Sequence, residues 1–252
     1  MNRKPIATFA AAFAISAIAY AAQAAEVRNI VIVHGAFADG SGWRKATEIL
    51  QRRGYNVTIV QEPITSFADD VAATRRVLDL QTGPTLLVGH SYGGMVITEA
   101  GNDPDVAGLV YVAAFQPDTD DSLMSLASSK AMSKTNIRET KDGQYLYLDP
   151  ASFPADYAAD LPKDEAAFLA RSQVFAKKEV FAAKVDTPAW RMKKSWAIVA
   201  TQDRAINPDL QREMAKHAGS TVTEIEASHA VFASQPEKVA AVIEGAAVKL
   251  GE

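Results

Sequence analysis

From Asn29 onward the chain alternates short apolar runs with stretches whose apolar positions recur every three or four residues. Asn29–His34 (NIVIVH) is apolar nearly throughout, the pattern of a parallel strand covered on both faces. Ser41–Arg53 places Trp43, Ala46, Ile49 and Leu50 on one side of a helix that Gly54 ends. Asn56–Val60 is a second strand. Ser66 and Asp69 form an S-x-x-D start for a helix that runs to Leu80 and stops at Gly83-Pro84. Thr85–Val88 is the third strand, Met95-Val96-Ile97 opens the next helix, and Val106–Ala114 is the fourth strand.

Regularity then lapses. Asp118–Ala189 is rich in polar and small residues and in aromatics. It holds a hairpin turning at Asp142-Gly143, between Ile137–Thr140 and Gln144–Leu148, and a helical stretch over Glu165–Gln173. Afterwards the alternation resumes. Trp196–Ala200 and Thr221–Ile225 are the fifth and sixth strands, separated by a helix with Asn207 as cap and Pro208 in its first turn. Ser234 and Glu237 open a last helix whose inner face is Val239, Ile243, Ala246 and Leu250. Strand–helix alternation with one long interruption predicts an α/β fold: a doubly wound, mostly parallel six-stranded sheet with a core of residues 25–117 and 190–252 and an inserted lid of residues 118–189.

The first residues follow a different rule. Asn2-Arg3-Lys4 is basic, Ile6–Ala19 is apolar and Ala-rich, and Ala22-Gln23-Ala24 fits a small-x-small cleavage site. Residues 1–24 read as a secretory signal peptide, which implies a periplasmic or secreted mature chain. The alternative, an N-terminal helix of the fold, lacks a reason for that order of basic, apolar and small residues. Loss of Arg3 and Lys4 takes the formal net charge from -4 to -6. Such a domain is unsuited to nucleic acid or an anionic membrane, and no mature segment is apolar enough to span one. With no cysteine among its 252 residues, the chain has no disulfide, no thiol nucleophile and no Cys-ligated metal.

The candidate chemistry begins at Gly89-His90-Ser91-Tyr92-Gly93, a G-x-S-x-G match between a strand and a helix. A serine on such a sharp turn presents its hydroxyl above the end of the sheet, and flanking glycines leave room for the turn. Ser91 is therefore the candidate nucleophile. It needs a base, and histidine suits neutral pH. Of four histidines, His34 ends the first strand and is placed to hold the next loop. His90 points away from its neighbour Ser91, and His217 ends a helix and is solvated. His229 lies in the loop after the sixth strand, on the same rim as Ser91, and is the candidate base. Asp203, after the fifth strand, is the candidate orienting acid. Asp118, Asp120 and Asp121 after the fourth strand are its rivals, and Asp209 is explained by the helix dipole. For the oxyanion, the backbone N–H of Tyr92 and that of Ala36 are the candidate donors, with Phe37 the second choice for the latter.

These features together resemble the α/β-hydrolases over the whole mature length: VHGAF after the first strand, GHSYGG at the elbow, the late Asp203, and the final SHA. The resemblance implies the spatial strand order second, first, third, fourth, fifth, sixth. VYVAAFQPD and the DGQYLYLDP hairpin resemble the small capped esterases of the plant methyl-salicylate-type esterase and hydroxynitrile lyase branch. The plant lyases carry Thr, Glu and Lys where this chain has Gly35, His90 and Ala230, so the resemblance implies a serine esterase. A hydroxynitrile lyase, a carbon–carbon hydrolase or a perhydrolase is the alternative on the same fold, and a non-catalytic ligand receptor the alternative outside it. Phe37 and Phe115 at the rim are expected to wall the acyl pocket, and Tyr145, Tyr147, Phe153, Phe168 and Trp190 to line its roof. No cationic cluster marks the lid, so a small neutral apolar or aromatic ester is the expected substrate. No cofactor and no metal are implied, and the expected assembly is a monomer or homodimer.

Overall fold

The computed structural model describes residues 26–130 and 135–252; the leader expected over residues 1–24 lies outside them. In chain order the strands are β1 (Asn29–Val33), β2 (Asn56–Val60), β3 (Thr85–His90), β4 (Val106–Val112), β5 (Ile137–Glu139), β6 (Tyr145–Leu148), β7 (Ala176–Lys177), β8 (Lys194–Ala200) and β9 (Thr221–Ile225). The helices are α1 (Arg44–Arg52), α2 (Phe67–Leu78), α3 (Gly93–Ala100), α4 (Leu123–Ser129), α5 (Phe153–Tyr157), α6 (Lys163–Leu169), α7 (Pro208–His217), α8 (Val231–Ser234) and α9 (Pro236–Gly251). Six strands form one parallel sheet in the order β2-β1-β3-β4-β8-β9, as the resemblance implied.

The chain steps outward from β1 to β2, returns to β3, and then moves away on the other side. With right-handed crossovers this puts α1 and α2 on opposite faces, and α1 packs beside α9 while α2 packs beside α3. Both faces are thus covered, which is why β1 and β3 are buried at every position. The reversal leaves β1 and β3 as neighbours, with Val33 opposite Gly89, so the loops that follow them emerge side by side.

Several element ends differ from the sequence reading. β3 continues through Gly89 to His90, because those residues still pair with Tyr111 and Val112 of β4. The helix expected from Ser41 starts with a tight 3-10 turn, Gly40–Trp43, capped by the Asp39 carboxylate. Ser66 does cap α2 by accepting the N–H of Asp69. Ser234, expected to open the last helix, instead closes the short α8. Its hydroxyl is buried without a partner, and α9 begins at Pro236, whose missing N–H suits a first helical position.

Between β4 and β8, β5 and β6 form the expected hairpin, to which the two-residue β7 adds a third strand. The helix expected over Glu165–Gln173 spans only Lys163–Leu169. α4 and α5 were not anticipated: at seven and five residues they are too short for a helical repeat to show.

Candidate active site

The turn after β3 has the geometry its glycines foretold. Ser91 adopts a left-handed backbone conformation, φ 53°, which is rare for a residue with a side chain and marks local strain held by surrounding structure. That structure is tight. The Ser91 carbonyl accepts the N–H of Phe115, and the Ser91 N–H reaches the Val112 carbonyl. A Cβ on Gly93 would lie 2.5 Å from the carbonyl oxygens of Val33 and His34, so only glycine lets α3 sit against the end of β1. Gly35 approaches as closely from the other side: a Cβ there would lie 2.6 Å from that of Ser91 and 2.9 Å from His90 Nδ1.

His229, in the loop between β9 and α8, faces the same cavity as Ser91. Its Nδ1–H donates to Asp203 Oδ2 at 2.7 Å, with both side chains essentially inaccessible to solvent. Asp203 is fixed in turn: Oδ1 accepts the N–H groups of Ala205 (2.7 Å) and Ile206 (2.9 Å), and Oδ2 also accepts from Gln211 Nε2 (2.8 Å). The rival acids lie elsewhere. Asp118 bonds His217 and Arg191 at the surface, Asp121 accepts the Asp118 N–H, and Asp120 approaches Lys184. His217 thus has a carboxylate partner rather than solvent alone.

Ala36, Phe37 and Tyr92 all line this cavity. Among the described residues none of their backbone N–H groups donates to a protein acceptor. Phe37 itself is left-handed, φ 62°. A hydroxyl, an imidazole backed by a buried carboxylate, and free N–H donors around one cavity can together carry nucleophilic acyl transfer.

The other two buried histidines have structural work. The Glu62 N–H donates to His34 Nε2 (3.1 Å), so the ring proton sits on Nδ1 and goes to the Gly35 carbonyl (3.0 Å). This ties β2 to the loop that carries Ala36. His90 Nε2–H donates to the carbonyl of His229 itself (3.1 Å). Its ring sits within 4.6 Å of both His229 and Phe232, centroid to centroid. Desolvation, then the neighbouring His229, holds His90 well below the usual histidine range, so it is a neutral linker between the elbow and the His229 loop. Tyr157 of α5 adds a second link: its carbonyl accepts the Ala230 N–H and the Ser228 hydroxyl, on either side of His229, and its ring meets the imidazole edge-on at 4.7 Å.

Beneath the Ala36 loop lies a small acidic cluster. The Tyr92 hydroxyl donates to Asp70 Oδ2 (2.7 Å), and the Ile64 N–H donates to Oδ1 (2.8 Å). Burial outweighs both bonds and pushes Asp70 up to about 6. Glu62 is 3% exposed, and neither carboxyl oxygen has a hydrogen-bond partner. Desolvation, then the charge of Asp70, drives it well above the carboxylate range. Desolvation also lowers His34, so the 3.7 Å approach of its Nδ1 to Glu62 joins neutral groups rather than an ion pair.

Between its ordinary value and its raised folded one, each carboxyl holds a proton that the unfolded chain has released. The contribution of these two groups to stability is therefore greatest at low pH and is lost as pH rises from the ordinary carboxylate values of 3.8 and 4.5 through their raised folded values. Glu62→Gln is expected to melt at or above the wild-type temperature, with an advantage that grows to roughly 2–6 °C at pH 8. Thermal melts between pH 4 and 8 check this; an offset independent of pH would contradict it.

The cavity holds about 370 Å³, at the lower end for small-molecule sites. Phe37 and Phe115 line it, and none of the five residues expected over it does. Phe153 is fully buried and stacks on Tyr157 at 4.7 Å. Tyr147 stacks on Phe175 at 5.1 Å. Tyr145 and Tyr147 share one face of β6, and the opposite face, Leu146 and Leu148, lines the cavity, because successive strand residues point to opposite sides. Phe168 is 59% exposed, over a different groove beside α1. Trp190 donates to the Pro117 carbonyl and packs on His217. In their place stand Leu123, Met124 and Ala127 of α4 and Phe181, which stacks on Phe37 at 5.9 Å. Gln211, Tyr157 and Phe181 are the residues beside the candidate site that the sequence reading did not name. For Gln211 a signal existed, a glutamine on the inner face of a helix; for the other two there was none beyond being aromatic.

Residues 30–242 match the Alpha/beta hydrolase family, and the chain belongs to that family. Among curated relatives it is 35% identical over 112 residues to a carbendazim hydrolyzing esterase from Nocardioides sp. (strain SG-4G). That match covers 39% of this chain and 46% of the esterase, so it spans under half of that relative's length. It is 25% identical over 246 residues to the alpha-hydroxynitrile lyase of Arabidopsis thaliana, covering 84% of this chain and 93% of the lyase. Among solved structures, tomato methylketone synthase I with bound 2-tridecanone superposes with a TM-score of 0.77 at 20% identity, covering 89% of this chain and 99% of that one. The pyrethroid hydrolase PytH gives 0.75 at 21%, covering 90% and 100%. The branch of plant esterases and hydroxynitrile lyases expected from the motifs is represented among these relatives.

Proposed function

We propose that this chain is a serine carboxylesterase acting on small, neutral, apolar or aromatic esters. The observation that carries the proposal is the buried His229–Asp203 bond of 2.7 Å behind a cavity that Ser91 shares. Asp203 fixes the ring proton on Nδ1, which leaves Nε2 to act as the base. Ser91 Oγ attacks the ester carbonyl carbon while Nε2 takes its proton. The N–H groups of Tyr92 and Ala36 (or Phe37) stabilise the oxyanion. The imidazolium then protonates the departing alcohol, leaving an acyl-Ser91. Water, deprotonated by the same nitrogen, releases the acid and restores Ser91.

The substrate class rests on the wall. No aspartate, glutamate, lysine or arginine lines the cavity among the described residues. A charged group would lose hydration there without a partner. That a relative is named for carbendazim and a structural neighbour for pyrethroids agrees with neutral substrates. The leader read over residues 1–24 would place this activity in the periplasm or outside the cell.

The Arabidopsis relative makes cyanohydrin cleavage the second reading. Gly35 weighs against it: a Cβ at that position, as in the threonine of the plant lyases, meets that of Ser91 at 2.6 Å.

The test is a panel of p-nitrophenyl esters, with mandelonitrile assayed in parallel. The butyrate should be hydrolysed with a burst of p-nitrophenol, and a carboxylate-bearing succinate analogue should be at least about 100-fold poorer in kcat/KM. Equal turnover of the charged ester, or faster cleavage of mandelonitrile than of any ester, would contradict the proposal.

A further inference from the structure

We propose that Gln211 is a positioning residue for the Asp203–His229 pair, its side-chain amide holding the Oδ2 end of the Asp203 carboxylate against His229. The inference rests on the triad reading above and extends it. Gln211 is 4% exposed on α7, whose other buried residues, Leu210, Met214 and Ala215, are apolar. A buried amide must be satisfied, and here every group is. Oε1 accepts the Ala200 N–H (3.2 Å), and Nε2 donates to the Ile206 carbonyl (3.0 Å) and to Asp203 Oδ2 (2.8 Å). Turning the amide over would set its NH2 against the Ala200 N–H and its oxygen against a carbonyl and a carboxylate. The network itself therefore fixes the orientation.

A role limited to the fold would need only the bonds to Ala200 and Ile206, which tie α7 to the end of β8 and to its following loop. The third bond lands on the carboxylate oxygen that accepts the hydrogen bond from His229 Nδ1–H. Oδ1 is already pinned by Ala205 and Ile206. With Oδ2 pinned by Gln211 as well, the carboxylate cannot swing with the imidazole as the proton moves on and off Nε2. The bond also withdraws charge from Oδ2 and so moderates how strongly Asp203 favours the imidazolium. Among the described residues, the titratable rings in contact with His229 are His90, a neutral linker, and Tyr157, and the Ser91 hydroxyl shares its cavity.

The test compares Gln211→Glu and Gln211→Met in the whole protein, with kcat and KM followed from pH 5 to 9 and thermal melts alongside. Glu keeps the shape and an oxygen facing the Ala200 N–H but sets a second carboxyl against Asp203. The acid limb of kcat/KM should move about one unit higher in pH. For both variants kcat at pH 7 should fall by about tenfold to a hundredfold with KM within about twofold. A wild-type kcat and pH profile in Gln211→Glu, a loss carried by KM, or a loss that tracks the unfolded fraction would overturn the proposal. If Gln211→Met does not fold, Gln211→Glu decides alone. If Asp203→Asn stays active, the triad reading has failed; if Asp203→Asn is dead and Gln211→Glu is normal, only this inference has.

Discussion

Ser91→Ala is expected to cut hydrolysis of p-nitrophenyl butyrate by about 10⁶-fold and to leave the melting temperature close to that of the wild type. The loss is large because every later step needs the acyl-Ser91. An imidazole and N–H donors without a nucleophile are left only to bind the ester and polarise its carbonyl. The fold should tolerate the change. Among the described residues the Ser91 hydroxyl makes no hydrogen bond that holds the elbow; the turn is held by the backbone bonds of Ser91 with Val112 and Phe115 and by the close approach of Gly93 to β1. Initial rates on purified protein, with circular dichroism as the control for folding, check both halves. Retention of more than a few per cent of activity would assign the nucleophile elsewhere.

Asp203→Asn should be nearly as damaging, by about 10⁴-fold in kcat, and for a reason visible in the hydrogen bonds. Oδ1 is claimed by two backbone N–H donors, from Ala205 and Ile206. An asparagine must present its oxygen to them, so its NH2 group takes the place of Oδ2. That group meets Gln211 Nε2 and His229 Nδ1, where Asp203 accepts from both. The imidazole can face an NH2 only by moving its proton to Nε2, and an Nε2–H cannot accept the Ser91 proton. KM should change little, because Asp203 does not line the cavity. Steady-state kinetics separates the two parameters; a loss confined to KM would contradict this assignment.

The core was legible because burial on both faces writes itself as unbroken apolar runs, as in NIVIVH and VAGLVYV. The candidate site residues on it could be picked out because each sits just past a strand end, where the topology sends every loop to one rim. The lid was not. α4 has no buried residue and α5 has five residues in all, so neither carries a periodic signal. β6 shows the limit most clearly. Its YLYL alternation announces two faces, but only the tertiary arrangement says that the leucines, not the tyrosines, line the cavity beside Ser91. The largest side chains drew attention, and they went where large rings bury most area: Phe153 onto Tyr157, Tyr147 onto Phe175. A glutamine on the inner face of a helix was the one hint at Gln211, and nothing local marked the part of His90. Their bonds run to residues 8 and 139 positions away in the chain, and no local pattern marks such a partner.

The most direct measurement of the central claim is covalent. Incubating the protein with a fluorophosphonate and mapping the product by peptide mass spectrometry should find one adduct per chain, on Ser91, forming more than about 100-fold more slowly in His229→Ala. An unlabelled protein, or an adduct on any other residue with Ser91 unmodified, would contradict the assignment of Ser91 as a nucleophile activated by His229.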